Sequence, residues 1–547
     1  MENRDSSKEP EGGRKILSHT WYLYVTEFFA GMSLMAVEIS AQRLISPYFS
    51  SSQVVWTIII GTIMIAMALG NVYGGRAADR DPNPDKLYKR ICIAALWLAL
   101  IPVAGKYFII GISALLIFSV NSNFLILAAF GVCMVVFVFP LFLLGTVTPS
   151  LAKYTMRGLQ DNGKIVGTLG AANTIGSILG TFLPTFVTIP GVGTNVTFLI
   201  FSGILLLLCL LYFFSGKTHR GLGTAGLAVF LGASLLGHRT GFAFWENPDS
   251  ILYEGESTYN YLQVREEGNQ VILSTNVLFG VQSVLEKEKR LTGMYYDYAM
   301  AAPLMAGASL GKETNVLILG MGTGTFALQC SRYLENMHFE GVEIDEKITK
   351  LARRYFRLPE NIPVITYDGR AYLDGVDKTY DVIMVDAYQD ITIPFQMSSV
   401  EFFTSVKEHL KPDGILVVNM NMRGEQEGSI NACLADTISS VFPSVYTVDV
   451  ANSTNRELFA SESPAMLQRL EEGIAALPQE QELADMMARV REGLTVYEPG
   501  GYLLTDDKAP VELLGMGMMD SIIRSEVNYY KDIYHQEGWQ GVLERLR

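Results

Sequence analysis

The chain has 547 residues, of which 49% are hydrophobic and 18% are charged, and its mean hydropathy is +0.24. These values exclude a disordered chain, and a net charge of −14 argues against a protein that binds nucleic acid through basic residues. The charge is unevenly divided. Residues 1–240 carry 17 Lys and Arg against 10 Asp and Glu, a net charge of +7, and residues 241–547 carry 25 against 46, a net charge of −21. The sequence therefore predicts an apolar, mildly basic part followed by an acidic part of ordinary composition.

The first part contains seven apolar stretches long enough to cross about 30 Å of hydrocarbon. They lie at roughly 20–46, 53–75, 88–118, 124–152, 164–189, 193–215 and 222–238. The third is over-long and is interrupted by Pro102, Gly105 and Lys106, which predicts either a broken helix or a re-entrant segment. The seventh is short and rich in glycine. We therefore expect a multi-span α-helical membrane domain over residues 1–240, with six or seven spans and a lipid bilayer as its partner.

Basic residues occur in alternate connections between these stretches. They precede the first stretch, separate the second from the third, and follow the fourth and the sixth, whereas the loops near Ser50, Asn121 and Gly191 have almost none. The positive-inside rule therefore predicts a multi-pass protein of the cell membrane with a cytoplasmic N-terminus. If the stretch at 222–238 crosses the membrane, the acidic part lies outside the cell, and if that stretch lies in the interface, the acidic part lies inside.

Charged residues also occur within the apolar stretches. Glu27, Glu38 and Arg43 lie on the first stretch, where such charges either pair inside the helix bundle or line a substrate path. The run Gly-Gly-Arg-Ala-Ala-Asp-Arg at 74–80 resembles a loop of the major-facilitator transporters. These two features keep a transport function open.

Small residues of the fifth stretch predict close helix packing, because glycine allows two backbones to approach. The four that share this pattern are Gly167, Gly170, Gly176 and Gly180. The five cysteines, by contrast, form no CxxC pair, and we expect them to be buried apolar side chains without a disulfide or a metal site. They are Cys92, Cys133, Cys209, Cys330 and Cys433.

After residue 250 the sequence changes to short strand-like runs. Three of them, at 261–264, 270–274 and 277–284, predict a small antiparallel sheet, and a helix is expected over about 292–307. Strands at 315–319, 338–344, 364–367, 380–386 and 414–419 then alternate with helices that begin near Thr325, Glu346 and Ser399. We therefore predict a β-sheet subdomain over 250–310 and an α/β Rossmann-like domain over 311–547, with a parallel sheet and ligands at the carboxyl ends of its strands.

Glycines and acids follow four of these strands. Gly320, Gly322 and Gly324 allow a tight turn that approaches a ligand closely, and Glu343 follows 19 residues later, where a carboxylate can accept hydrogen bonds from ribose. Asp368 with Gly369, and then Asp386, follow the next two strands. Any one of these acids could cap a helix, but their shared position predicts a nucleoside-type ligand.

The order of these motifs resembles the spermidine synthase (polyamine aminopropyltransferase) family of S-adenosylmethionine-dependent enzymes, and with the apolar part its membrane-fused branch. The segments Glu256-Ser-Thr-Tyr-Asn260, Gly280-Val-Gln-Ser283, Tyr295-Tyr-Asp297 and Leu504-Thr-Asp-Asp-Lys-Ala-Pro-Val511 are also similar to segments of that family. The resemblance covers about 250–510 well.

The resemblance implies a role for each matching residue. The donor side would consist of Glu343 at the ribose, Asp368 and Gly369 at the adenine, Asn260 and Gln282 at the thioether, and the loop glycines Gly320, Gly322 and Gly324. Asp386 would be the catalytic acid that takes a proton from the attacking amine. The amine side would consist of Tyr296, Asp297, Tyr388, Gln389 and Asp390.

Four positions in three segments depart from the family pattern. Thr323 replaces the aspartate of the glycine loop, Gln389 stands where a second acid is expected, and Tyr296 with Asp297 replaces His-Glu. The leading hypothesis is transfer of an aminopropyl group from decarboxylated S-adenosylmethionine to a polyamine such as putrescine, with release of methylthioadenosine. Methyl or aminocarboxypropyl transfer from ordinary S-adenosylmethionine, and a polyamine transporter or sensor, are the alternatives. Because S-adenosylmethionine is made in the cytoplasm, we expect the transferase domain there, and the small sheet could pair subunits into a homo-oligomer.

Overall fold

A computed structural model of the chain describes residues 20–49, 51–117, 123–156, 162–242, 248–277, 281–288, 290–308, 311–387, 393–421, 428–477 and 481–546. The chain divides into two units, residues 1–244 and residues 245–547. Each unit has its own set of internal contacts, and we describe each by itself.

The first unit is helical throughout its described residues. Its helices are Thr20–Phe49, Gln53–Arg80, Pro84–Ile117, Phe124–Val136, Val138–Gly145, Val147–Thr155, Asn162–Leu183, Ile189–Ser215 and Arg220–Gly237, with a π-helical turn at Pro184–Thr188. Within the described residues, five helices are long and apolar enough to cross a membrane, or six if the bent pair at 124–155 counts as one span. The apolar stretches of the sequence therefore do form long helices.

The predicted break in the third stretch is wrong, and the break occurs in the fourth stretch instead. Helix Pro84–Ile117 continues through Pro102, whereas the helices on either side of Phe137 meet at 51°. Pro140 has no N–H to donate to the carbonyl of Val136, and that carbonyl accepts a hydrogen bond from the indole nitrogen of Trp97 at 2.9 Å. The sequence pattern could not reveal this because Trp97 is 39 residues away.

The helical run Asn162–Ser215 is interrupted at Gly193, whose φ of 85° and ψ of 167° are not helical. A straight helix of 54 residues would be about 80 Å long, far more than the roughly 30 Å of a bilayer core. The interruption falls where the sequence predicts a loop between the fifth and sixth stretches.

Two of the four glycines on the fifth stretch pack tightly against the first helix. A Cβ atom at Gly176 would lie 2.0 Å from the carbonyl oxygen of Phe28, and one at Gly180 would lie 2.0 Å from that of Met32. The predicted close packing is confirmed at these two positions. It is wrong at Gly167 and the neighbouring glycine of the same face, Gly170, where a Cβ atom would meet no atom within 4 Å.

Glu27 is fully buried in the first unit. Its Oε1 atom accepts hydrogen bonds from the hydroxyl of Thr148 at 2.6 Å and from the side-chain amide of Asn173 at 2.8 Å. Three helices therefore meet at this carboxyl group. The prediction that the five cysteines are buried side chains is confirmed.

The second unit begins with a four-stranded antiparallel sheet. Its strands are β1 (Ile251–Glu256), β2 (Tyr261–Glu267), β3 (Gln270–Ser274) and β4 (Ser283–Glu286), and neighbours in the chain are neighbours in the sheet. The predicted antiparallel sheet is confirmed. The prediction missed β1 and placed the start of the last strand too early, at 277 instead of Ser283.

The main sheet has eight strands in the order β12-β10-β11-β9-β8-β5-β6-β7. They are β5 (Thr314–Leu319), β6 (Met337–Glu343), β7 (Val364–Thr366), β8 (Tyr380–Val385), β9 (Leu410–Met420), β10 (Ser444–Asp449), β11 (Arg456–Ser461) and β12 (Thr495–Val496). The five strands from β9 to β7 are parallel, as predicted, and β10, β11 and β12 are antiparallel. The expectation of a wholly parallel sheet is therefore wrong at one edge.

Helices cover both faces of this sheet. They are Tyr295–Ala299, Ala301–Met305, Thr325–Tyr333, Glu346–Tyr355, Gly369–Gly375, Val400–Glu408, Ile430–Ser439, Met466–Ala475, Gln481–Gly493 and Val511–Leu546. Alternate strand residues enter separate apolar layers, with Val316 and Ile318 in one and Leu317 and Leu319 in the other. The helix expected over 292–307 is two short helices instead, and one of them carries Tyr295 to the ends of the parallel strands.

Candidate active site

A cavity lies at the carboxyl ends of the parallel strands, and its empty volume is about 930 Å³ with its open mouth included. Its lining includes Asn260, Ser283, Tyr296, Gly320, Gly322, Glu343, Tyr367, Asp368, Gly369, Asp386 and Gln396. The loops after β5, β6, β7 and β8 supply most of these residues, because parallel strands end at the same edge of a sheet.

We call the first part of this cavity the glycine-loop end and define it by Gly320, Gly322, Glu343, Asp368 and Gly369. Gly320 has a φ of 88°, and a Cβ atom there would lie 2.4 Å from the carbonyl oxygen of Asp386. Only glycine fits this turn, because an added methyl group would collide with backbone. The loop therefore lies directly against the end of β8.

Glu343 ends β6 and is 7% exposed. Its Oε2 atom accepts the backbone N–H of Gly322 at 2.9 Å, and its Oε1 atom accepts that of Asp345 at 3.0 Å. Burial raises the pKa of Glu343 to about 7, while the two backbone N–H groups act in the opposite direction. Each oxygen keeps a free lone pair that could accept a hydroxyl hydrogen bond from a bound molecule.

The acids that follow β6 and β7 also cap helices. Asp368 accepts the backbone N–H of Ala371 at 2.9 Å, and Asp345 accepts that of Lys347 at 3.0 Å. Asn260, which lines the cavity, donates to Asp345 at 3.0 Å. Asp368 therefore serves as a helix cap and as part of the cavity wall, and its predicted role at the adenine stays a prediction.

Apolar side chains are exposed at the same end. Ile344 is 40% exposed and Tyr367 is 55% exposed, and both line the cavity next to Glu343 and Asp368. Exposed apolar surface beside buried polar groups suits a flat aromatic ring with polar edges. The glycine-loop end therefore has the chemistry of a nucleoside pocket.

We call the second part the Asp386 end and define it by Asp386, which lines the cavity, and by Tyr295 and Asn419, which are hydrogen-bonded to its carboxylate but do not belong to the lining. The hydroxyl of Tyr295 donates to Oδ2 of Asp386 at 2.6 Å, and the side-chain amide of Asn419 donates to Oδ1 at 2.9 Å. Burial raises the pKa of Asp386 to about 6, and the two donors limit the rise. The carboxyl group is therefore largely ionised at neutral pH but is a stronger base than an exposed aspartate.

Three of the predicted site residues that the structure describes lie outside the cavity lining. Gln282 adjoins the lining residue Ser283, and its carbonyl accepts the hydroxyl of Tyr296 at 2.9 Å. Gly324 precedes the helix that begins at Thr325. Asp297 is fully buried and accepts the backbone N–H of Gly293 at 2.6 Å, and burial raises its pKa.

Gly280, Tyr388, Gln389 and Asp390 lie outside the described residues. Their predicted roles stay predictions. Thr323, which occupies the place of the family's loop aspartate, is buried, and its hydroxyl lies 3.1 Å from that of Thr325.

Sequence reasoning missed both partners of Asp386. Asn419 is close to the end of β9, so the strand-end rule applied to β9 could have found it. Tyr295 lies within the segment that was matched to the family, but only its neighbours Tyr296 and Asp297 were selected. Tyr295 is 91 residues from Asp386 in the sequence and Asn419 is 33 residues from it, so no local sequence pattern links either residue to Asp386.

Comparison with known proteins identifies this arrangement. Residues 295–455 match the family model of the spermine/spermidine synthase domain. The chain is 50% identical over 357 residues to a protein of Bifidobacterium longum named "Probable polyamine aminopropyl transferase", a match that covers 62% of this chain and 78% of the relative. It is 28% identical over 177 residues to polyamine aminopropyltransferase 1 of Aquifex aeolicus, covering 30% and 59% of the two chains.

Among solved structures, the spermidine synthase of Thermotoga maritima matches 44% of this chain and 84% of its own, with 18% identity and a TM-score of 0.35. The sequence match to the Bifidobacterium relative extends over most of that protein at half identity. The chain therefore belongs to the spermine/spermidine synthase family of polyamine aminopropyltransferases and is a transferase.

Proposed function

We propose that the protein is a membrane-bound aminopropyltransferase that moves an aminopropyl group from decarboxylated S-adenosylmethionine to a polyamine such as putrescine. The observation that carries this proposal is that one cavity is lined both by the glycine-loop end around Glu343 and by the half-buried carboxylate of Asp386. The family membership supports the same reaction class.

The donor's adenosine is proposed to occupy the glycine-loop end. Glu343 accepts the ribose hydroxyls on the lone pairs that its two backbone donors leave free. Asp368 and Gly369 face the adenine, with Ile344 and Tyr367 against its ring. Asn260 lies on the thioether side, where it is fixed by its hydrogen bond to Asp345.

The acceptor amine is proposed to attack at the Asp386 end. Its nitrogen forms a bond to the methylene carbon next to the sulfonium as the carbon–sulfur bond breaks and the electron pair goes to sulfur. The amine loses one proton, which Asp386 accepts, and the products are an extended polyamine and methylthioadenosine. Tyr295 and Asn419 hold the carboxylate in place, so that the amine is oriented before it reacts.

The charge of the second part of the chain favours a cationic acceptor. Residues 241–547 carry 25 Lys and Arg against 46 Asp and Glu. An acidic surface raises the local concentration of polyamines, which are cations at neutral pH. We expect the rate of encounter to fall as salt screens this attraction.

The helical unit is proposed to anchor the enzyme in the cell membrane, with the transferase unit in the cytoplasm. Five apolar helices of sufficient length support the anchor, and the basic loops support a cytoplasmic N-terminus. A cytoplasmic transferase unit then requires an even number of crossings, with helix Arg220–Gly237 in the membrane interface. Protease digestion of intact and inverted vesicles tests it. Cleavage within residues 245–547 only in inverted vesicles agrees with the proposal, and cleavage there in intact vesicles contradicts it.

The reaction is tested with the full-length protein in nanodiscs, decarboxylated S-adenosylmethionine and putrescine. Release of methylthioadenosine together with spermidine supports the proposal. Asp386→Asn should abolish both products, whereas Glu360→Gln, a change at an acid whose side chain is 84% exposed, should preserve them. Absence of product from the unaltered protein contradicts the proposal.

A second candidate is transfer of a methyl or aminocarboxypropyl group from ordinary S-adenosylmethionine. The observation that favours it is Thr323, which places a buried hydroxyl where the family pattern has an acid for the donor's amine. Product formed with ordinary S-adenosylmethionine and none with the decarboxylated donor would select this candidate.

A further inference from the structure

Glu457 is a buried acid that the reaction described above does not use. It lies on β11, its exposure is 0%, and neither of its carboxyl oxygens has a hydrogen-bond partner among the described residues. A buried carboxyl group without a partner destabilises a fold, because it loses its hydration and gains nothing in return. Such a residue is unusual in the interior of a sheet unless a ligand completes it.

The sheet register places Glu457 in line with the Asp386 end. Glu457 pairs with Asn419 across β11 and β9, and the amide of Asn419 donates to Asp386 at the end of β8. Three adjacent strands therefore carry Asp386, Asn419 and Glu457 side by side. Phe459, two residues along from Glu457, packs in the same apolar layer as Val417 of β9.

The three residues consequently point to one face of the sheet, because side chains two apart on a strand share a face. After burial, the charge of Asp386 is the next cause that raises the pKa of Glu457. The two carboxyl groups therefore interact electrostatically. They form one row with the amide of Asn419 between them, which runs from the half-buried Asp386 to the fully buried Glu457.

The row extends away from the glycine-loop end. In the order β11-β9-β8-β5-β6-β7, the glycine loop follows β5 on one side of β8, and Glu457 lies two strands from β8 on the other side. A group bound beside Glu457 is therefore on the opposite side of Asp386 from the nucleoside pocket. That is the side from which an attacking amine must approach if the donor occupies the glycine-loop end.

The spacing suits a diamine. Strands about 4.8 Å apart place the backbones of Asp386 and Glu457 roughly 10 Å apart. The two nitrogens of an extended four-carbon diamine are about 6 Å apart. With one hydrogen-bond length added at each end of the diamine, Asp386 can therefore contact one nitrogen and Glu457 can contact the other.

We propose that Glu457 is a specificity-determining residue that binds the distal ammonium of a diamine acceptor while Asp386 receives the attacking amine. This inference rests on the proposed function for the identity of the attacking group. Glu457 provides the compensating charge for an ammonium that would otherwise be buried alone, and the ammonium provides the partner that Glu457 lacks. Monoamines of the same length gain nothing from this contact.

The test compares Glu457→Gln with the unaltered full-length protein in nanodiscs, using putrescine and n-butylamine as acceptors. We expect the KM for putrescine to rise about 10- to 100-fold, since a hydrogen bond to a charged group is lost. The rate with n-butylamine and the KM for the donor should stay unchanged. Glu457→Asp, which keeps the charge, should recover part of the affinity for putrescine.

Glu462→Gln is the matched control, because Glu462 lies just beyond β11 and pairs with Lys407 at the surface. It should behave as the unaltered protein with both acceptors. Thermal unfolding without ligand separates a folding defect from a binding defect. Glu457→Gln should unfold at the same or a higher temperature, because it removes an unpaired buried acid.

Binding measured without turnover separates this inference from the proposed reaction. Putrescine should raise the unfolding temperature of the unaltered protein more than n-butylamine does, and Glu457→Gln should remove that difference. An unchanged KM and an unchanged temperature shift for putrescine overturn the role of Glu457. Equal losses with both amines also overturn it, because they indicate a general defect. If putrescine binds through Glu457 but no aminopropyl group is transferred, the proposed function fails and the diamine site stands.

Discussion

The two ends of the cavity are built in different ways. At the glycine-loop end, Glu343 is held by backbone N–H groups from its own loop and from the loop after β5. At the Asp386 end, the carboxylate is held by side chains from a helix 91 residues away and from the neighbouring strand β9. The backbone donors to Glu343 are present whatever side chains their residues carry, whereas each side-chain donor to Asp386 can be removed by a single substitution. A single substitution can therefore alter the Asp386 end more readily than the hydrogen bonds that hold Glu343.

The largest effect is expected from removing the base at the Asp386 end. Asp386→Asn keeps the shape of the side chain but cannot accept a proton, so kcat should fall about 10²- to 10⁴-fold while the KM for the donor changes little. Steady-state kinetics of the full-length protein measures both constants. If the KM for the donor rises as well, the glycine-loop end and the Asp386 end do not act independently.

A smaller effect is expected at the glycine-loop end. Glu343→Gln removes the charge that we propose accepts the ribose hydroxyls, and the KM for the donor should rise about 10- to 100-fold with a smaller change in kcat. Isothermal titration with methylthioadenosine provides an independent reading. A normal affinity for that nucleoside would show that Glu343 does not face the ribose.

Gly320 belongs to the glycine-loop end and lies against the backbone of Asp386. Its substitution should therefore destabilise the fold and not change kcat or KM alone. Gly320→Ala adds a Cβ atom 2.4 Å from the carbonyl oxygen of Asp386 at a φ of 88°. The free energy of unfolding should fall by about 2 kcal/mol or more, because both the clash and the left-handed backbone are unfavourable. Gly375→Ala, where a Cβ atom would meet nothing within 4 Å, is the matched control and should unfold at nearly the normal temperature.

The smallest effect concerns pH. The pKa of Asp386 is raised to about 6, and the carboxylate must be ionised to accept a proton. The kcat/KM for the acceptor, measured at saturating donor so that ionisation of Glu343 in the free enzyme does not contribute, should therefore decrease as the pH falls below about 6. Tyr295 donates to this carboxylate and lowers its pKa. Tyr295→Phe should therefore raise the pH at which activity is lost on acidification by about half a pH unit to one unit. If the variant loses activity at the same pH as the unaltered protein, a group other than Asp386 controls the loss of activity at low pH.

The two ends also differ in how far the sequence revealed them. The glycine-loop end was predicted residue by residue, because Gly320, Gly322, Glu343 and Asp368 follow successive strands at local spacings. These residues all line one cavity. The Asp386 end was predicted only at Asp386 itself. Its partners depend on strand order and on the packing of a short helix, which no local pattern encodes.

The fold shows the same division between local and long-range information. The parallel strands and their helices were predicted from alternation of short apolar runs, and their bounds differ by a few residues at most of the ends. The antiparallel edge of β10, β11 and β12 was missed, because its strands follow one another without the alternation that marks a parallel sheet. The bend at Phe137 was misplaced for a similar reason, since it depends on Pro140 and on a hydrogen bond from Trp97.

The central claim is that the cavity directs an aminopropyl group, and not a methyl group, to an amine. The most direct measurement uses decarboxylated S-adenosylmethionine that carries ¹³C in its aminopropyl carbons and deuterium in its methyl group, with putrescine and the full-length protein. Mass spectrometry should find ¹³C in the extended polyamine and deuterium in methylthioadenosine. Deuterium in the polyamine, with ¹³C left on the nucleoside, would contradict the account.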